Sequence, residues 1–153
     1  MGRILVERCS ECAGELRDGQ TCIDYFHQML FWENEFPDYG PAVHHLMVLS
    51  YYLQHPSLYS PAGLEHARHL LVDFVVHEIA AEEIRQRSRQ AVDSGQRKWK
   101  ITGIPGAAGE YAQPVLWTMT AADVTAGGAA QYVENVHLWA QSIYASLLAS
   151  GNL

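Results

Sequence analysis

Residues 22–56 read CIDYFHQMLFWENEFPDYGPAVHHLMVLSYYLQHP, two apolar runs at helical spacing separated by a turn rich in proline and glycine. In the first run Ile23, Phe26, Met29, Leu30 and Phe31 recur with the period of an α-helix, Asp24 stands in the first turn, and Pro37 lies just beyond Glu35. This predicts helix one over 22–35. After Pro37-Asp38-Tyr39-Gly40 the second run goes from Pro41, suited to a first helical turn, to Gln54, where Pro56 stops it. This predicts helix two, and so short a connection makes the pair an antiparallel hairpin.

Working outward, Ser60 before Pro61 reads as a cap followed by proline at the first helical position, and a periodic stretch then runs to about Gln90 as helix three. Its first part, with Leu64, Leu70, Leu71, Phe74, Val75 and Ile79, is apolar enough to be central. Glu82 to Arg89 is charged on most faces and is expected to be solvated, its end projecting past the core. Residues 93–119 carry Gly95, Gly103, Gly106, Gly109, Pro105 and Pro114 and are expected to form an irregular loop over one end of the bundle. Thr120 with Asp123 has the spacing of a capping box, opening a short helix that Gly127-Gly128 interrupts. A final helix follows, with Val133, Val136, Leu138, Trp139, Ile143, Tyr144, Leu147 and Leu148 on a broad apolar face and Gly151 just past its end. The expected fold is all-α: one antiparallel helical-bundle domain over 1–153, with a cysteine-rich knuckle in 1–22.

The composition agrees. The chain has 153 residues, 48% hydrophobic and 18% charged, enough for one core without a disulfide scaffold. Ten Lys and Arg against 17 Asp and Glu leave a formal net charge of −7, which repels a polyanion, so nucleic acid is not an expected partner. The basic cluster Arg97, Lys98 and Lys100 around Trp99 reads as a solvated loop. The apolar patch Ile4 to Val6 is cut off by Glu7 and Arg8 before a signal-peptide core forms, and no uncharged stretch is long enough to cross a bilayer. The expectation is a cytoplasmic protein with no membrane partner.

Cys9, Cys12 and Cys22 cluster in the first seventh of the chain, an odd number that favours thiolate ligation over disulfides in a reducing compartment. Cys9-Ser-Glu-Cys12 lets two thiolates from one tight turn reach the same tetrahedral ion, with Ala13-Gly14 following as a knuckle allows. Cys22 stands at the start of helix one, where a helix N-terminus favours the thiolate. The hairpin register supplies a candidate fourth ligand. A turn centred between residues 38 and 39 places residue 22 opposite residue 55, which is His55. Against this stand a His55 that only caps the last carbonyls of helix two, and His44, His69 or water as the fourth ligand. The trio points to zinc, with unliganded thiols or a redox pair as the competing readings.

Other histidines form weaker patterns. His44 and His55 return to nearly the same helix face but lie roughly 16 Å apart along it, too far to share an ion. On helix three His66, Asp73 and His77 share a face, and the register brings Asp73 and His77 near the level of His44, a conceivable acid-base grouping beside the commoner reading of hydrogen-bonded core histidines. Some motifs are absent. His77-Glu78 is followed by Ala81 where a zinc protease needs its second histidine, and Glu134 with His137 is a single Glu-x-x-His pair where a di-iron bundle needs two. There is no phosphate-cradling glycine loop and no nucleophile elbow.

Several of these pieces together resemble a small, mostly bacterial family of unknown function. They are Cys9-x-x-Cys12, Cys22 with Phe26 and Glu33, Tyr39 before Val43-His44, then Leu46, Val48, Tyr51 and Leu53-Gln54-His55-Pro56. Further on, Thr120-Ala121-Ala122-Asp123-Val124 and Trp139-Ala140 with Ser142 resemble its C-terminal signature. The likeness marks His44, His55 and His69 as motif residues and implies no activity. His45 stands where arginine is common in the family, and the last helix has lighter residues where a second Trp often occurs. The helical layout is also similar to DinB-like bundles, an analogy of fold only.

The leading expectation is a zinc-binding helical bundle whose ion, held by Cys9, Cys12, Cys22 and His55, ties the knuckle to the hairpin end. Its partner would be a small molecule or a protein, and the exposed length of helix three with the aromatic content of 10% fits a homodimer. The competing expectation is a metal-dependent hydrolase or thiol-group transferase in which His55 is no ligand and His44, His69, Asp73 or His77 does acid-base work. A redox switch on Cys9 and Cys12 is weakened by the lack of a thioredoxin-like strand pattern.

Overall fold

The computed structural model describes residues 6–93, 102–104 and 106–153. In chain order the elements are β1 (Glu7–Arg8), β2 (Glu15–Leu16), α1 (Cys22–Glu35), α2 (Tyr39–Gln54), α3 (Pro61–Val75), α4 (Ala81–Asp93), α5 (Ala121–Ala126) and α6 (Tyr132–Ala149), with single 3₁₀ turns at Pro56–Leu58 and Ala129–Gln131. The two short strands pair antiparallel, Glu7 opposite Leu16 and Arg8 opposite Glu15. Among the described residues everything else is helix or irregular, apart from an isolated bridge between Tyr59 and Thr102.

The core is the seam between α2 and α6. On α2 the buried residues Val43, Leu46, Met47, Ser50, Leu53 and Gln54 recur at intervals of three and four, and on α6 Tyr132, Val136, Trp139, Ala140, Ile143 and Leu147 do the same. Each fully buried Leu or Ile here contributes roughly 2 kcal/mol of transfer free energy. Tyr25 and Met29 of α1, Leu64, Ala67 and Leu71 of α3, and Ala121, Ala122 and Val124 of α5 close around the seam. The buried amide on it is bonded at both of its polar atoms: Gln54 Oε1 accepts from Trp139 Nε1 at 3.1 Å, and its Nε2 donates to the Met119 carbonyl at 2.6 Å. α3 therefore flanks the core, where its apolar run suggested a central helix.

The helix boundaries follow from local chemistry. Thr21 and Asp24 form a capping box on α1, Ser60 Oγ accepts from Gly63 N at 3.0 Å on α3, and Thr120 with Asp123 caps α5. α2 starts at Tyr39, two residues before Pro41, because a proline within the first turn removes only an N–H that has no intrahelical acceptor.

Helix three does not run on to Gln90. It ends at Val75, and the chain turns through Glu78, whose φ of 51° is left-handed, while Ile79 N donates back to the Asp73 carbonyl at 3.0 Å. The charged stretch then returns as α4 against α2, rather than projecting past the core. The reason is apolar: the turn carries Ile84 into a buried position, and Arg87 pairs with Asp73 at 3.7 Å. A left-handed glutamate costs on the order of 1 kcal/mol that glycine would not incur. Glu78→Gly is accordingly expected to raise stability by about 0.5 kcal/mol, read as a higher urea midpoint at unchanged slope; a lower midpoint would mean the Glu78 side chain contributes more than its backbone costs.

Residues 102–104 and 106–119 are irregular, and the rest of the expected 93–119 loop, including the basic cluster at 97–100, lies outside the described residues. The segment fastens to the 3₁₀ turn after α2: Thr102 bridges Tyr59, Gly103 N donates to Leu58 O at 3.1 Å, and Gly109 N to Tyr59 O at 2.7 Å. Gly103 is required there, since a Cβ would lie 2.5 Å from the carbonyl oxygens of Ser57 and Tyr59. Tyr111 donates its hydroxyl to the Leu53 carbonyl, and Gln113 exchanges two hydrogen bonds with Asn152 beyond α6. Among the described residues no helix is long and apolar enough to cross a membrane.

Candidate metal centre

Three local structures deliver four side chains to one point. The turn between β1 and β2 carries Cys9 and Cys12. It is closed by Cys9 N donating to Gly14 O and Ala13 N to Cys9 O, both at 2.9 Å, with Ala13 left-handed at φ 59°. Gly14 N donates to Cys12 Sγ at 3.3 Å. Gly14 also lets the turn dock on the bundle, because a Cβ there would lie 2.8 Å from Thr120 Oγ1 at the cap of α5. The capping box of α1 sets Cys22 as the first helical residue, and the end of α2 supplies His55.

The ligand atoms of Cys9, Cys12, Cys22 and His55 all lie within 4.8 Å of one another. Cys12 Sγ is 3.7 Å from Cys22 Sγ, and Cys9 Sγ is 3.6 Å from His55 Nε2. A tetrahedral zinc with bonds of about 2.3 Å to sulfur and 2.0 Å to nitrogen has edges of roughly 3.5–3.8 Å. Cys12 is 1% exposed and His55 4%, while Cys9 is half-buried at the rim. His55 donates Nδ1–H to the Tyr51 carbonyl at 2.7 Å, and its ring stacks on Tyr51 with centroids 4.3 Å apart. That bond commits Nδ1 to its proton and turns Nε2 toward the thiols, the outer contact a metal-bound imidazole needs; Nε2 would bind a metal on losing its own proton.

The thiols and the imidazole shift one another in opposite directions. Hydrogen bonding from Cys22, with help from His55 and the Gly14 amide, outweighs burial and holds the Cys12 thiol down at about 4. Cys22 is pushed up by its hydrogen bond to Cys12, by burial and by the neighbouring thiolates. Burial opposes charge on His55, but its bonds to Cys12 and Tyr51 lift it to about 9. Charge is thus favoured on Cys12 and His55 and disfavoured on Cys22, and a dication at this point would favour the thiolate of Cys22 as well.

A model of the family of unknown function DUF5946 matches residues 7–148. The chain belongs to that family. No curated protein and no solved structure gives a match. The matched span takes in the whole Cys9–Cys12–Cys22–His55 cluster, as well as the seam residues Gln54 and Trp139.

The family match also spans a second polar group that sequence reasoning did not assemble. Glu33, its side chain only 7% exposed, accepts from His44 Nδ1 at 2.6 Å and from the hydroxyl of buried Tyr132. The signal was present in the sequence: Glu33 stands seven residues after Phe26 and four after Met29, on the inward face of α1. His44 thus pairs with Glu33, and Asp73 with Arg87, while His69 and His77 are exposed. Among the described residues only the cysteine-histidine cluster brings three or more metal-binding side chains within reach of one ion, so His44, Asp73 and His77 form no such group.

The Glu33 hydrogen bond, reinforced by its charge and opposed by burial and Arg85, raises the pKa of His44 above its ordinary 6.5. A raised folded-state pKa stabilises the fold below the unfolded value and loses that contribution as pH climbs through the folded one. With its imidazole 41% exposed, the effect is screened. The Tm difference between the native chain and His44→Asn is expected to be largest just below pH 6.5 and to shrink as pH rises. A difference constant across that range, or an NMR titration of His44 at or below 6.5, would contradict the pairing.

Proposed function

We propose that Cys9, Cys12, Cys22 and His55 hold a zinc ion whose role is structural, and that the protein is a cytoplasmic binding module built on a helical bundle. The observation that carries this reading is the convergence of three thiols and one imidazole, from three separate elements, to within 4.8 Å. Thiolates and imidazole in a tetrahedral set suit zinc, and a set closed by four protein ligands has no position for water or substrate. The ion would supply the charge that ionises the three thiols and would tie the β1–β2 turn, the start of α1 and the end of α2 together. Three reduced cysteines in one cluster fit a reducing compartment.

The test is metal analysis by mass spectrometry on protein purified without a metal-affinity tag, paired with a count of reactive thiols before and after chelation. The expected result is about one zinc per chain, with thiols masked until the chelator is added. Freely reactive thiols and no metal would overturn the reading. His55→Ala separates a closed from an open site: loss of zinc and of stability is expected, whereas full retention of both would favour a metal with a free position and an enzymatic use.

A further inference from the structure

Toward the N-terminal half of α2, at Ala42 and Leu46 and so away from His55 at its other end, a cleft of about 410 Å³ opens between α2, α6 and the turn joining α3 to α4. Its size falls within the range of small-molecule sites. Leu46 and Phe74 supply an apolar floor, and Ala42 and Ala140 leave space where larger side chains would fill it. Glu78 and His137 bring polar groups to the lining, and no lysine or arginine is among its described residues. Glu78 is also the residue held left-handed at φ 51°, a position that glycine would occupy at lower cost. Non-glycine residues kept in such a conformation concentrate at functional sites.

We propose that this cleft is a ligand site for a small amphipathic cation, its apolar body against Leu46 and Phe74 and its protonated amine against the carboxylate of Glu78. Charge selects the class: a lining with a carboxylate and, among its described residues, no lysine or arginine, in a chain of net charge −7, disfavours anions and attracts ammonium groups. Glu78 and His137 are too few to hold a bare metal ion, and the apolar floor adds contact that a fully polar amine could not use. The site shares no residue with the zinc reading and stands without it.

Phenethylamine, phenethyl alcohol and hydrocinnamate, the same apolar body carrying a cation, a neutral group and an anion, test the proposal on the full chain by NMR titration. Phenethylamine is expected to give saturable amide shifts confined to residues around Leu46, Phe74 and Ala140. The alcohol is expected to bind about tenfold more weakly and hydrocinnamate not at all. Ala42→Leu fills the mouth from an exposed position and is expected to abolish the shifts. Glu78→Gly, expected to be the more stable protein, should lose the preference for amine over alcohol, an outcome that misfolding cannot imitate. Absence of saturable shifts with phenethylamine, equal binding of the anion, or unchanged amine preference in Glu78→Gly would each overturn the proposal.

Discussion

Serine in place of Cys12 is expected to give a protein without bound zinc and with stability lowered on the order of 4 kcal/mol, the scale of losing a structural metal. Cys12 is the most buried thiol of the cluster, lies 3.7 Å from Cys22, and takes the Gly14 amide on its sulfur, so a hydroxyl there has neither the charge nor the reach of a thiolate. The decisive comparison is with the native chain under chelation. If zinc carries the stability, the variant and the chelated native protein unfold at the same denaturant concentration, and chelator does nothing further to the variant. Should Cys12→Ser melt with the untreated native chain, the cluster is a set of packed thiols and the metal reading fails.

Trp139→Ala is expected to cost about 5 kcal/mol. The indole is wholly buried at the centre of the α2–α6 seam, where truncation leaves a cavity, and it is the donor to Gln54 Oε1. The loss therefore combines a large-to-small core change with a buried acceptor left without its partner. Trp139→Phe divides the two effects, since it keeps most of the ring and removes only the N–H; about 2 kcal/mol is expected for it. Urea unfolding of the pair measures both, and a Phe variant as stable as the native chain would show that the Gln54 bond adds nothing to stability.

The parts of the fold legible in the sequence were those fixed by residues within a few positions of one another. Asp24 in a first turn, Ser60 before Pro61, and Thr120 with Asp123 each mark a helix start, and the structure has helices at all three, Asp24 closing its capping box with Thr21. The approach of His55 to the cysteines was legible as one of several alternatives, because a hairpin turning between residues 38 and 39 sets residue 55 opposite residue 22. The break at Val76–Ala80 was not. Glu78 stands where a helix ending left-handed would ordinarily show glycine, and the following Glu82 to Arg89 are good helix formers, so nothing local signals the stop. Its cause is tertiary, the burial of Ile84 against α2. The Glu33–Tyr132 bond, which joins residues 99 positions apart, is of the same kind.

Cys9 and His55 are separated by 46 positions, and between them lies the entire α1–α2 hairpin. An ion gripping both is a cross-link as much as a ligand site. Closing a loop of that length removes roughly 4 kcal/mol of chain entropy from the unfolded ensemble, by the arithmetic that applies to a covalent bridge. The order of events follows from the same spacing. Cys9 and Cys12, three residues apart, can capture zinc while the rest of the chain is open, and Cys22 and then His55 are recruited as the hairpin folds. If zinc is the ion, as proposed, its supply would then bear on the final stability by tying the first two helices to the turn that carries Cys9 and Cys12.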